Sequence, residues 1–246
     1  VSLTPVTTNV LEGNFVIGSE QRLLLTRSQN ISGVCSFQAQ LSSVGPNGVD
    51  SDDFINWSLG TQTFVMGPGQ QFAEILLQIN GDGLFEGDEG WRIALINPTG
   101  CVVDNTAAVV EGQILDDESQ FSITALTTAA PEGTGGSTPF SFEINRIGYI
   151  DASAGVNWEV TGSGSNPATP DDFIGGAYPS GGVPFLPGTL GSVITIEVNG
   201  DADGEFDEQF EVRLFNATGG QIGTATAGAT IVNDDATDLL FSDSFE

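Results

Sequence analysis

The chain has 246 residues, 33 of them Asp or Glu against five Arg, with no Lys and no His, for a formal net charge of −28. That balance excludes a nucleic-acid binder, because nothing on the chain would neutralise a phosphate backbone, and it opposes docking to anionic membrane surfaces. A hydrophobic fraction of 39% with 16 Phe is too high for acidic disorder, and no apolar run approaches the ~18 residues of a membrane helix.

Val1–Leu11 alternates polar and apolar residues around Pro5, as an edge strand does, and Glu12-Gly-Asn14 turns it. Gln21–Arg27 and Gly33–Leu41 read as strands, the second alternating cleanly. Gly45–Asp53 is turn chemistry ending in the acidic pair Asp52/Asp53. Phe64–Met66 ends a short strand at Gly67-Pro-Gly69. Ala73, Ile75, Leu77 and Ile79 then alternate into the loop Gly81-Asp-Gly-Leu-Phe-Glu-Gly-Asp-Glu89, and Trp91, Ile93 and Leu95 leave it with the same period. Ala107–Leu115 is the last strand of the half and ends in Asp116-Asp-Glu118.

The same order then restarts. Pro131-Glu-Gly133 matches the turn at Glu12, and Phe140–Arg146 ends in Arg as Gln21–Arg27 did. Asp171-Asp-Phe173 matches Asp52-Asp-Phe54, and Ile194, Ile196 and Val198 match Ile75, Leu77 and Ile79. Gly200-Asp-Ala-Asp-Gly-Glu-Phe-Asp-Glu208 repeats Asp82, Glu86, Asp88 and Glu89 at identical spacing. Phe210, Val212 and Leu214 follow as Trp91, Ile93 and Leu95 did, and Asn233-Asp-Asp235 closes the copy. The chain is therefore read as an all-β tandem duplication, residues 1–118 and 119–235, with a tail at 236–246. Each half holds about seven short strands with turn signals every 8–12 residues, the pattern of an antiparallel Greek-key sandwich. The connection Asp117–Gln120 is short enough to predict a restricted, end-to-end arrangement.

Four carboxylates within eight residues repel one another unless a cation sits among them, and oxygen-only ligands select a hard ion such as Ca²⁺. A solvated acidic loop is the plain alternative, but chance solvation gives no reason to repeat the spacing. Cys35 and Cys101 occur only in the first half. Either they pair, which implies an oxidising compartment, or Cys35 is a small core residue of an alternating strand. The absence of His removes the commonest general base and the His-containing triads. Paired carboxylates serve glycoside hydrolysis elsewhere, but duplicated clusters suit metal binding better, so no enzyme is expected. Arg27 and Arg146, at equivalent strand ends, read as structural braces. Asn30, Asn56 and Asn216 fit the glycosylation sequon, a pattern that arises easily by chance.

The early Glu-Gly, the Asp-Asp-Phe element, the Asp-x3-Glu-x-Asp-Glu loop, the aromatic-x-hydrophobic-x-Leu-x-Asn strand after it and the terminal Asp-Asp together resemble the Calx-β domain. That family includes regulatory calcium-binding domains of sodium–calcium exchangers, an integrin subunit and repeated modules in bacterial surface and adhesion proteins, the secreted bacterial type being the one expected here. The resemblance covers both halves and implies two immunoglobulin-like sandwiches, each with Ca²⁺ at one end and more than one ion per chain. It implies a first site of Glu12, Asp53, Asp82, Glu86, Glu89, Asp116 and Asp117, and a second of Glu132, Asp172, Asp201, Glu205, Glu208, Asp234 and Asp235. Many members carry successive Asp where this chain has Gly81-Asp82-Gly83 and Gly200-Asp201-Ala202, so fewer or weaker ions are expected, with Asp203 in partial compensation. Asp88 and Asp207 could equally point to solvent and rank below the others.

Calcium at Asp116 and Asp117 would stiffen the joint, because unneutralised carboxylates there push the chain apart. The expected function is a calcium-stabilised extracellular structural protein. Leu239, Leu240, Phe241 and Phe245 make the tail too apolar for a floppy end: either it folds back on its own domain, or it adds as a strand to an identical subunit, head to tail, in a filament. The alternative is an adhesion or ligand-binding module with a protein or carbohydrate partner. A chain opening on Val1 has either lost a leader or been trimmed, and the expected location is extracellular or at the cell surface.

Overall fold

A computed structural model describes residues 1–13 and 19–235. Asn14 of the predicted turn and the whole Ala236–Glu246 tail lie outside the described residues. The chain divides into two compact units, the first Val1–Glu118 and the second beginning at Ser119.

In the first unit, β1 (Ser2–Pro5), β3 (Glu20–Thr26) and β6 (Phe72–Gln78) form one sheet in the order β1-β3-β6. The other sheet contains β2 (Asn9–Leu11), β4 (Cys35–Ser43), β5 (Gly60–Met66), β7 (Glu89–Thr99) and β8 (Val109–Leu115), in the order β2-β8-β7-β4-β5. The predicted Val1–Leu11 strand is thus two: β1 runs antiparallel to β3, and the chain then crosses to lay β2 parallel to β8. Pro5, which has no amide to donate, ends the first piece.

The second unit repeats the plan. One sheet holds β9 (Ser119–Ala125), β11 (Gly136–Gly148), β14 (Gly191–Gly200) and the two-residue β16 (Gln221–Ile222), in the order β14-β11-β9-β16. The other holds β10 (Ala129–Pro131), β12 (Ala154–Gly162), β13 (Ser180–Phe185), β15 (Glu208–Thr218) and β17 (Thr226–Val232), in the order β10-β17-β15-β12-β13. Both units are immunoglobulin-like sandwiches; among the described residues they have eight and nine strand segments rather than seven, because the first strand of each switches sheet and the second unit adds β16. Ser119 and Gln120, read as linker in the sequence, belong to β9.

Alternation fills each core. Leu23 and Leu25, Phe37, Ala39 and Leu41, Ile75 and Leu77, and Trp91 and Ile93 point between the sheets of the first unit and are essentially inaccessible. In the second unit Phe210 takes the place of Trp91. Its ring meets Phe140 at 5.4 Å, Phe142 at 5.9 Å and Phe173 at 5.4 Å, all edge-on, the geometry aromatic quadrupoles favour. Cys35 on β4 is disulfide-bonded to Cys101, 66 residues later, which settles the alternative left open by the sequence.

Candidate metal centres

Three connections and one strand end converge in each unit. Glu12 follows β2, whose pairing Leu11↔Leu115 sets it beside the end of β8. Asp53 sits in the β4–β5 connection, held to the strand leaving β6 by the Phe54↔Ile79 bridge and by Asn80 N–H donating to Asp53 O at 2.9 Å. Glu86 and Glu89 lie in the β6–β7 loop and at the first position of β7. The second unit does the same with Glu132, Asp172, Glu205 and Glu208, with the bridge Phe173↔Val198.

Among the described residues the result is two carboxylate trios per unit. They are Glu12/Asp116/Glu118 and Asp53/Glu86/Glu89 in the first, and Glu132/Asp234/Asp235 and Asp172/Glu205/Glu208 in the second. Within each trio, oxygens lie within 4.8 Å of one another. Two oxygens each 2.3–2.6 Å from one Ca²⁺ lie at most about 5 Å apart, so each trio is compact enough for its members to share an ion. The donors are all oxygen, there is no histidine, and both cysteines are in the disulfide, so softer metals have no ligand here. Four acidic clusters of this kind match several Ca²⁺ sites.

No cation of the protein balances these charges. Among the described residues the ion pairs are Arg22 with Glu20 and Glu74, Arg92 with Glu111, and Arg213 with Glu159, all outside the trios. Burial therefore drives protons onto the clusters. Desolvation, reinforced by neighbouring carboxylates, pushes Glu12 and Glu132 up to about 7. Desolvation is again the main cause at Glu89, Glu118 and Glu208, each raised to about 8. Asp53, Glu86 and Glu205 are raised in the same direction for the same reason. Glu118 is 2% exposed, and once ionised neither of its oxygens has a hydrogen-bond donor. A buried orphan carboxylate is costly, and a divalent cation would satisfy it.

Eleven of the fourteen sequence-predicted residues fall in the trios; Asp82, Asp117 and Asp201 do not. Asp82 Oδ1 accepts from Leu84 N–H at 2.7 Å and Asp201 Oδ1 from Asp203 N–H at 2.8 Å, so both shape the acidic loop. Asp117 Oδ1 accepts from Gly13 N–H at 2.7 Å and anchors the turn after β2. Asp88 and Asp207, ranked below the other candidates, also have structural roles: their Oδ1 atoms accept from Asp116 N–H at 3.2 Å and Asn233 N–H at 3.1 Å.

Hydrogen bonds fix how the two terminal acidic runs correspond. Gly133 N–H donates to Asp234 as Gly13 N–H does to Asp117, so Asp116 corresponds to Asn233 and Glu118 to Asp235. Asp116 Oδ2 accepts from Glu86 N–H at 3.1 Å and Gly87 N–H at 2.7 Å. Asn233 instead donates Nδ2–H to Glu205 O at 2.7 Å. The second unit thus has one carboxylate fewer at this position.

Sequence reading missed two contributors. Glu118 looked like linker but turns back into the first trio. Asn47 Nδ2 donates to the carbonyls of Glu86, Gly87 and Asp88, each at 3.1 Å, and frames the loop; Asn166 reaches Asp207 O in the copy. The glycines at 81 and 200 have a steric reason. A Cβ on Gly81 would run into the carbonyls of Glu12 and Gly13, and one on Gly200 into those of Glu132 and Gly133. The acidic loop is packed against the preceding turn too closely for an extra Asp there.

No family model matches the chain. Over 187 residues, 75% of its length, it is 28% identical to adhesion G-protein coupled receptor V1 of Danio rerio, and it spans 3% of that protein. Among solved structures it is similar to the apo-form Calx CBD1 domain, with 27% identity, a TM-score of 0.40, and coverage of 48% of this chain and 99% of that one. For the calcium binding domain CBD12 of CALX1.1 the values are 20%, 0.41, 88% and 80%. For CBD12 from CALX1.2 they are 15%, 0.42, 93% and 99%.

Proposed function

We propose that this chain is a non-enzymatic, Calx-β-type calcium-binding module of an extracellular protein, each unit holding Ca²⁺ between its paired trios. The observation that carries the reading is the duplicated set of carboxylate trios with no arginine among them. Such an arrangement is self-repelling when empty and satisfied by divalent cations. The ligands would be Glu12, Asp53, Glu86, Glu89, Asp116 and Glu118 in the first unit, and Glu132, Asp172, Glu205, Glu208, Asp234 and Asp235 in the second. Asp82, Asp117 and Asp201 would add charge from the rim. The disulfide favours an oxidising exterior, and among the described residues no helix is long and apolar enough to cross a membrane.

Of the finer readings, a calcium-dependent adhesion or ligand-binding module is favoured over a filament subunit. Its support is the likeness to a piece of an adhesion receptor, whereas the filament reading rests on a tail outside the described residues. Calorimetric titration of the chelated chain with CaCl₂ tests the metal reading. It predicts saturable uptake of two or more ions per chain, with the second unit weaker because Asn233 stands where the first has Asp116. Absence of saturable uptake at millimolar calcium would overturn it.

A further inference from the structure

The β2-β8-β7-β4-β5 sheet ends at β5, whose outer edge pairs with no strand among the described residues. The ladder shows which of its groups are free. Val44 N–H donates to Gly90 O at 3.0 Å. Hydrogen-bonded and non-bonded pairs alternate in an antiparallel ladder, so the backbone of Ser42, Gln40 and Gln38 faces β7 and that of Leu41, Ala39 and Phe37 faces β5. Thr61, Thr63 and Val65, opposite Gln40, Gln38 and Ser36, therefore turn N–H and C=O outward. Their side chains are exposed, Val65 at 61%. The strand has no charge, no proline and no bulge against β4, the devices that usually protect an edge.

The second unit does protect its counterpart. Pro184 of β13 stands at Val65's position, opposite Gly155 as Val65 is opposite Ser36. Proline enters an edge strand where its missing N–H would have faced solvent, which agrees with the outward turn of Val65. A groove of about 440 Å³ lies beside the start of β5, walled by Ile55, Trp57, Leu59, Thr61 and Gln62 among others. Asn56 fixes its far wall to β6, donating from Nδ2 to Leu76 O and accepting at Oδ1 from Gln78 N–H, both at 2.9 Å. Ile55 and Leu59 are exposed. Trp57 is buried, with its ring 5.9 Å from that of Phe64, and its Nε1–H has no acceptor. In the second unit Gly176 and Tyr178 take the places of Trp57 and Leu59. Tyr178 lies against Phe173, rings 5.8 Å apart, and donates its hydroxyl to Ala168 O at 2.8 Å.

Free strand amides beside a groove for alternate side chains are the parts of a strand-adding peptide site. A buried indole N–H without an acceptor is costly, and a carbonyl of a chain lying in the groove would supply one. We propose that β5 is a docking edge for an extended, basic peptide segment of another protein. The segment adds as a strand along residues 61–65 and lowers an apolar side chain into the groove over Trp57. Charge selects the occupant. Asp50 and Asp52 are exposed beside the groove, where Leu59 N–H donates to Ser51 Oγ at 3.3 Å, and neither is in an ion pair among the described residues. Two molecules of this chain, each with a net charge of −28, would meet there with those carboxylates opposed. A segment carrying lysine or arginine beside its apolar residue would be attracted instead. The proposal rests on the binding-module reading and names its partner class; it does not use the metal trios.

Selection from a displayed library of random heptapeptides, in calcium and in chelator, tests the edge on the parent chain against a Val65→Pro chain. Pro184 shows that the fold accepts proline at this position, and an unchanged first-unit melting midpoint verifies it. Peptides enriched on the parent should alternate apolar residues and carry lysine or arginine. They should bind the Val65→Pro chain at least about tenfold more weakly, since one outward N–H is gone. Ile55→Ser, an exposed change that leaves the backbone alone, should weaken them as well. Of the indole N–H signals of Trp57, Trp91 and Trp158, only that of Trp57 should move on binding. Enrichment of acidic peptides, or equal binding to the parent and both variants, would overturn the docking edge and leave the binding-module reading standing. No enrichment on any chain would overturn both, whatever the calcium uptake. A dimer in sedimentation equilibrium that Val65→Pro abolishes would make a second molecule of this chain the occupant and overturn the peptide.

Discussion

Removing the Cys35–Cys101 bridge should destabilise one unit and leave the other as an internal reference. The bridge joins residues 66 apart, and closing a loop of that length lowers the entropy of the unfolded chain by the equivalent of roughly 4 kcal/mol at 25 °C. A unit spanning Val1–Glu118 unfolds with an entropy of roughly 0.25 kcal/mol/K, at ~2.1 cal/mol/K per residue. The midpoint of the first unit should therefore fall by up to about 17 °C in a Cys35→Ala/Cys101→Ala chain, and that of the second should stay in place. The loop so closed contains Asp53, Glu86 and Glu89 but none of Glu12, Asp116 and Glu118. The first of these trios should accordingly lose more calcium affinity than the other. Differential scanning calorimetry of both chains, with and without calcium, reads all of this. A first-unit shift below about 2 °C, or an equal fall in both transitions, would refute the reasoning.

Two further predictions concern the carboxylates. In chelator, stability should decline as pH rises from about 5 to 8. Glu12, Glu89, Glu118, Glu132 and Glu208 are held at about 7 to 8, so the folded chain keeps protons that the unfolded chain releases above about 4.5. The contribution is fully present below that value and lost through the folded pKa; melts across this range that rise or stay level would contradict it, and calcium should suppress the decline. A Glu118→Gln chain should melt higher than the parent in chelator above about pH 8, where Glu118 must ionise without a cation, yet gain less from calcium. A fall in chelator and an unchanged calcium response would show that Glu118 is not part of the cluster.

Much of the fold was legible because its signals are local. The alternation Ile75/Leu77/Ile79 and its copy Ile194/Ile196/Val198 mark strands without tertiary information, and a repeated acidic loop announces a repeated site. What was not legible depends on pairing across strands. Val1–Leu11 reads as one strand, because nothing in its pattern says that its two ends join different sheets. Asp88 and Asp207 look solvated until the amides of Asp116 and Asn233 are seen to face them. Glu118 has the composition of a linker, and only the return of the chain after β8 brings it against Glu12. Asn47 had no acidic signal at all, since it acts by donating to carbonyls.

The most direct test of the account is a thermal melt in excess calcium and again after exhaustive chelation. Binding confined to the folded state raises stability by about 2.7 kcal/mol per site when the free ion is at a hundred times its dissociation constant. For a unit of this size that is about 11 °C per site, so chelation should lower both transitions by at least that much, the first more than the second. Coincident melts with and without calcium would mean that the four trios are solvated acidic clusters, and the calcium function would be contradicted.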